Sequence, residues 1–241
     1  MLQAMRRHWL SWLITGIIVV VVLAIAGPFI YIHFFNGSTP SALTLSPTSS
    51  ATSSGNSTPT ATAAASGTVG GTWTVGSGSV VGYRVNEVLL GQNATAVGRT
   101  TSVTGHLTIA GTTATAATFS VPMATVHSDK SQRDAQFDGR IMNVSQYPTG
   151  TFTLTSPIDL APLPAVGAVR SYTAHGKLTL HGTTRAVTFT LTAERQGAQL
   201  KVAGDIPVLF SDYNIQNPSF AGFVTTQDHG LLEFLLVLTK G

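Results

Sequence analysis

Apolar and polar residues alternate along GKLTLHGTTRAVTFTLTAE, residues 176–194. Leu178 and Leu180 alternate with Lys177 and Thr179. After a polar break at His181–Arg185, Val187, Phe189 and Leu191 alternate with Thr188, Thr190 and Thr192. A period of two marks β-strands with one apolar and one polar face, and a break holding Gly and two Thr suits a hairpin turn. Strand-like stretches recur at 72–75, 80–89, 102–110, 117–126, 150–160, 171–180, 186–194, 199–210 and 231–240. Gly, Asn, Pro or short polar turns separate most of them. With few helical patterns in between, they predict an all-β antiparallel barrel or sandwich over 71–241. The one helical pattern is Asp129–Asn143, polar but for Phe137, Ile141 and Met142, which are its inward candidates.

The same alternation assigns faces. Phe119, Val121, Phe152 and Leu154 join Leu178, Leu180, Val187, Phe189 and Leu191 as inward residues. In 231–240 the set Leu232, Phe234, Leu236 and Leu238 competes with Glu233, Leu235 and Val237. A charged Glu233 belongs in water, so the first set points inward. Such a face is either packed solid or lines a cavity, and the small inward residues Ala174 and Gly176 lean toward a cavity. The outward Thr rows read as a solvated β surface.

Two segments of unlike composition precede this domain. From Leu13 to Phe35, 23 residues run without an acid, Lys or Arg, long enough to span a bilayer as a helix. Trp9, Trp12, Tyr31, Phe34 and Phe35 lie near its ends, as interfacial aromatics do. Arg6 and Arg7 precede it and no Lys or Arg follows until Arg84, so residues 1–35 read as a cytoplasmic N-terminus and a single membrane span. The Ala24-Ile-Ala26 triplet fits the rival reading, a cleaved signal peptide, but the apolar run continues past it to Phe35. Residues 36–70 are Ser, Thr, Ala, Gly and Pro with no charge, the composition of a disordered stem spanning on the order of 30 Å as a coil.

Four stretches resemble the YceI-like family. They are YRVNEVL (83–89), SQRDAQFDGRIMNVSQYPTGTF (131–152) with Arg133-Asp134 and Tyr147-Pro148, GKLTLHGTTRAVTFTL (176–191), and FSDYNI (210–215). The resemblance covers essentially all of 71–241, and the anchor and stem are additions to that family's usual cleaved periplasmic pattern. It implies a lipocalin-like, eight-stranded antiparallel barrel around an elongated apolar cavity holding a polyisoprenoid or other long-chain amphiphile. On that reading Phe119, Val121, Phe152, Leu154, Leu178, Leu180, Val187, Phe189, Leu191, Phe234 and Leu236 contact the ligand. Arg133 and Asp134 are candidates for the cavity rim, where a polar headgroup sits.

Composition narrows the alternatives. No cysteine is present, which removes disulfides, thiolate metal sites and Cys nucleophiles. Of the 13 Lys+Arg, two are Arg6 and Arg7; the remaining 11 face 10 acids, so the pI near 9.5 reflects no basic stripe for nucleic acid. His175 and His181 lie six residues apart along a strand, about 20 Å, too far to share a metal. No nucleophile elbow or phosphate loop occurs, and no catalytic role is assigned. The expectation is a bacterial, non-enzymatic, membrane-anchored extracytoplasmic lipid-binding protein without a cofactor. The alternative is a cell-envelope interaction module with a filled barrel core.

Overall fold

The structure, a computed structural model, describes Ile17, Val20 and residues 39–45, 69–89, 91–219 and 224–241. Thirteen strands follow in chain order: β1 Gly71–Val75, β2 Val80–Leu89, β3 Gln92–Thr100, β4 Thr104–Ala110, β5 Thr113–Pro122, β6 His127–Ser128, β7 Thr149–Leu154, β8 Ile158–Asp159, β9 Val169–Leu180, β10 Thr183–Gln196, β11 Gln199–Leu209, β12 Val224–Thr226 and β13 His229–Lys240. Eight of them close a ring of antiparallel neighbours in the order β1, β4, β5, β7, β9, β10, β11, β13 and back to β1. The long β13 makes this closure and also forks. Its last residues pair with β1 (Val75↔Leu238), while Leu231–Leu235 pair with β2, which carries β3. A closed ring leaves no edge among its eight strands, which removes the hazard of unpaired edge backbone.

Segment 176–194 forms the hairpin its alternation predicts. Leu180 pairs with Thr183 across His181 and Gly182, both at positive φ (48° and 73°), the backbone of a two-residue turn that matches strand twist. His181 shapes this turn further: its Nδ1 lies 3.1 Å from the Tyr213 carbonyl and its ring meets Tyr147 edge-on. The predicted helix is present in part. Ser131–Gln136 is α1, which widens into one π-helical turn at Phe137–Ile141. Phe137 and Met142 are buried, as expected, and Ile141 packs against the same cluster.

The alternation missed three strands that lie outside the ring, β3 and the short β6 and β12. β3, QNATAVGRT, has a single large aliphatic residue, yet it pairs with β2 along its whole length. Gly98 is required by what lies over it: a Cβ there would come within 2.3 Å of the Tyr83 ring. The Tyr83 ring in turn stacks on Phe137, with centroids 5.1 Å apart.

Two readings need correction. Strand register puts Glu233 on the face opposite Leu232 and Phe234, so the inward set on β13 stands, but Glu233 does not face water. It is only 4% exposed, held by Arg84 Nε at 2.7 Å and Arg99 Nη2 at 2.8 Å. The second concerns the stem. Within it, residues 39–45 lie on this outer wall, where Arg84 Nη2 donates to the Pro40 carbonyl and Arg99 Nη2 to the Ser41 carbonyl, each at 2.7 Å. Val69, also read as stem, is buried in the barrel core, and its carbonyl accepts from Trp73 Nε1.

The proposed membrane span falls outside the described residues, apart from Ile17 and Val20, which are helical and expose 58% and 65% of their surface. Among the described residues, no helix is long and apolar enough to cross a membrane.

Candidate functional site

Two buried apolar clusters fill the two ends of the barrel. The cluster near α1 gathers Leu178, Leu180, Phe189, Ile206, Val208 and Phe210 with the helix residues Phe137 and Met142. The other, where the chain enters at Val69, gathers Trp73, Val81, Ile109, Leu236 and Leu238. Between and through them runs one cavity of about 330 Å³ whose wall reaches from Phe137 and Phe210 at the helix end to Leu160, Leu163 and Leu200 at the Val69 end. That volume falls within the roughly 300–1,000 Å³ of small-molecule sites. Alternation in each strand supplies the wall: every second side chain of an antiparallel barrel points in, and here those side chains are nearly all apolar.

Most of the residues assigned from sequence line this cavity. Phe119, Val121, Phe152, Leu154, Leu178 and Leu180 do so, and so do Phe189, Leu191, Phe234 and Leu236. Val187 does not; it packs against the helix-end cluster instead. Phe152, Phe189 and Phe234 form a belt of edge-to-face rings, with centroids 5.5 and 5.8 Å apart. Ala174, 1% exposed, leaves room beside that belt and is part of the wall. Gly176 plays another part from the one expected. The Phe152 ring occupies its side-chain space, since a Cβ there would sit 2.2 Å from Phe152 Cε2. It accommodates a wall residue rather than widening the hole.

At the helix end the wall includes Tyr83, Glu87 and Arg133. Arg133 Nη2 lies 3.4 Å from Glu87 Oε1, and Nη1 is paired with Asp129. The guanidinium thus meets two carboxylates at this mouth, which leaves no net positive seat for an anionic headgroup. Burial raises the Tyr83 phenol pKa above its ordinary value; nearby Arg133 opposes the rise and Asp134, Glu87 and Asp129 add to it. Asp134, the other rim candidate, is not part of the wall. Its Oδ1 accepts from both the amide and the hydroxyl of Ser128 at 2.7 Å, fixing the turn that leads into α1.

Alternation carried no signal for the polar residues at the Val69 end. Tyr172, Glu194 and Arg195 belong to the wall there, and Arg170 lies over the Tyr172 ring at 5.9 Å. Burial raises the Tyr172 phenol as well, against the pull of Arg170. Among the described residues, no group of three or more His, Asp or Glu is placed to hold a metal ion.

The barrel resembles solved structures. A polyisoprenoid binding domain from Saccharophagus degradans, implicated in plant cell wall breakdown, superposes with a TM-score of 0.59 at 17% identity, covering 70% of this chain and 98% of that one. BcnA of Burkholderia cenocepacia superposes with a TM-score of 0.50 at 22% identity, covering 64% of this chain and 95% of that one. At these identities the likeness establishes the fold alone. A search of curated proteins finds no match. The model of the YceI-like domain matches residues 73–238, from β1 through to β13, and the chain therefore belongs to the YceI-like family.

Proposed function

We propose that this protein holds one long-chain apolar ligand of isoprenoid type inside its barrel, outside the membrane to which its N-terminal span tethers it. The end-to-end apolar cavity is the observation that carries this reading. A solid interaction module would need large side chains at every layer, and Ala174 together with the space beside the Phe152–Phe189–Phe234 belt runs against that. Binding is by burial: each methylene taken from water contributes about 0.8 kcal/mol, so a long tail gains affinity with little polar specificity. The arginine already met by Glu87 and Asp129 favours an uncharged head at the helix end over a phosphate. The S. degradans domain, described as polyisoprenoid binding, supports the ligand class. The tether rests on the Leu13–Phe35 run and on Arg6 and Arg7 before it.

The test is native mass spectrometry of the full chain in mild detergent, followed by extraction and identification of any copurifying lipid. One added mass matching a polyprenyl, quinone or other long-chain lipid supports the proposal. A bare protein mass that persists after incubation with those lipids overturns it.

A further inference from the structure

The two ends of the cavity differ in composition and charge. Between β8 and β9 the chain crosses the Val69 end as Ala161-Pro-Leu-Pro-Ala-Val-Gly-Ala168, eight residues without a polar side chain. A loop over open water is ordinarily rich in Ser, Asn, Asp or Gly. Here Leu163 is 37% and Val166 48% exposed. Leu163 and Pro164 also line the cavity, so the exposed apolar surface and the apolar interior are continuous. The loop is held in place. Gly167 N donates to the Arg195 carbonyl at 2.8 Å and Leu160 N to the Thr112 carbonyl at 2.9 Å, and the Arg170 guanidinium donates to the Pro162 carbonyl.

Charge separates the two ends as well. Strand register puts Arg170, Arg195, Lys201 and Lys240 at the loop's end, against Asp159 and Glu194. The helix end carries Glu87, Asp129, Asp134, Asp138, Asp212 and Asp228, against Lys130, Arg133, Arg140 and Arg185. The loop's end is thus net positive and the helix end net negative. An apolar loop at the net positive end of the barrel matches the interface of an anionic bilayer, where apolar side chains enter the acyl boundary and Lys and Arg meet the headgroups.

We propose that the loop Ala161–Ala168 docks the barrel on an anionic lipid surface and that the Leu163–Pro164 mouth is where the ligand's apolar tail passes from bilayer to cavity. This rests on the lipid-binding reading above. Because the chain enters the barrel at Val69, on the same end, a tether from the same membrane does not oppose the orientation.

The absence of cysteine makes a site-specific test clean. Full-length V166C, and D228C at the opposite end, would each carry one environment-sensitive NBD label. Each would be reconstituted into vesicles of 30% phosphatidylglycerol in phosphatidylcholine, with or without doxyl-labelled lipid. The expected result is a blue shift and severalfold doxyl quenching for V166C, strongly reduced in pure phosphatidylcholine, with D228C remaining as in water. Quenching of neither site, of both equally, or of D228C alone overturns the proposal. Quenching of V166C that is equal with and without anionic lipid overturns the assignment of an anionic surface. Bound lipid in the detergent-solubilised V166C protein is read separately by mass spectrometry. A lipid-loaded protein with an unquenched V166C label sinks the docking loop alone, whereas a protein that never takes up lipid sinks the underlying reading.

Discussion

Arg99 and Glu233 meet at 2.8 Å over Gly82, the β2 residue that pairs with both and sends no side chain between them. Arg84, two residues along β2, closes on the same carboxylate from the other side at 2.7 Å. Glu233 is nearly inaccessible, and its partners are about four-fifths covered. Removing one member of a buried ion pair leaves uncompensated charge, at a cost of roughly 3–5 kcal/mol. Glu233→Ala is therefore expected to destabilise the barrel by about 3 kcal/mol, read as a lower urea midpoint at unchanged slope. A loss below about 0.5 kcal/mol, the size of an exposed pair, would show the site to be solvated.

The same two arginines hold the chain upstream of the barrel. Their second contacts are the Pro40 and Ser41 carbonyls, so residues 39–45 are strapped to the wall. Arg99→Gln is expected to speed proteolytic cleavage within 39–45 of the folded protein by about tenfold, roughly the worth of one charge-assisted bond, and, because it also removes a partner of Glu233, to lower the urea midpoint of the barrel. Cleavage within 39–45 that is already as fast as in a free peptide would mean that the strap does not form in solution.

How much of this was legible follows from what sequence patterns encode. Alternation records which side of a strand is buried, and it assigned the cavity wall well because an antiparallel barrel buries one parity throughout. It misjudged Glu233 because charge predicts distance from an apolar interior rather than contact with water, and Arg84 and Arg99 are far from it in sequence. It missed β3 because that strand has one large aliphatic residue and its Gly98 makes room for the Tyr83 ring, a tertiary demand that overrides strand propensity. It could not see the strap, whose binding groups are backbone carbonyls that every residue carries. Val187 and Asp134 show the remaining limit: parity and resemblance place a side chain on a face but do not say what it touches there.

Ala174 offers a direct handle on the cavity. It is fully buried, lies across from Phe189 in the β9–β10 ladder, and belongs to the wall. Ala174→Leu would put three added carbons into space the proposed ligand uses. It is expected to lower polyprenol binding at least tenfold, the equivalent of about 1.4 kcal/mol, with far-UV circular dichroism unchanged. Thr173→Leu, on the exposed face one residue away, should leave binding as it was. Equal binding by both variants would place the ligand elsewhere.

Alkaline pH provides an independent probe of the helix-end mouth. Burial raises the pKa of Tyr83 above that of the free phenol, and Tyr213 and Tyr172 are raised by the same cause. A raised folded-state pKa means that the unfolded chain loses its proton first. The stability is therefore whole below about pH 10 and declines as pH climbs from there toward the folded-state values. Tyr83→Phe keeps the ring stacked on Phe137 and removes the ionisable group. The variant should match the wild type in urea at neutral pH to within about 1 kcal/mol and lose less stability on going to pH 10.5, where the wild type should also show fewer than its full set of phenolates by absorbance near 295 nm. If Tyr83 ionises freely near pH 10 in the folded protein, and the variant's alkaline loss equals that of the wild type, the ring is in contact with water and the mouth is open at that point rather than sealed by Tyr83 and Phe137.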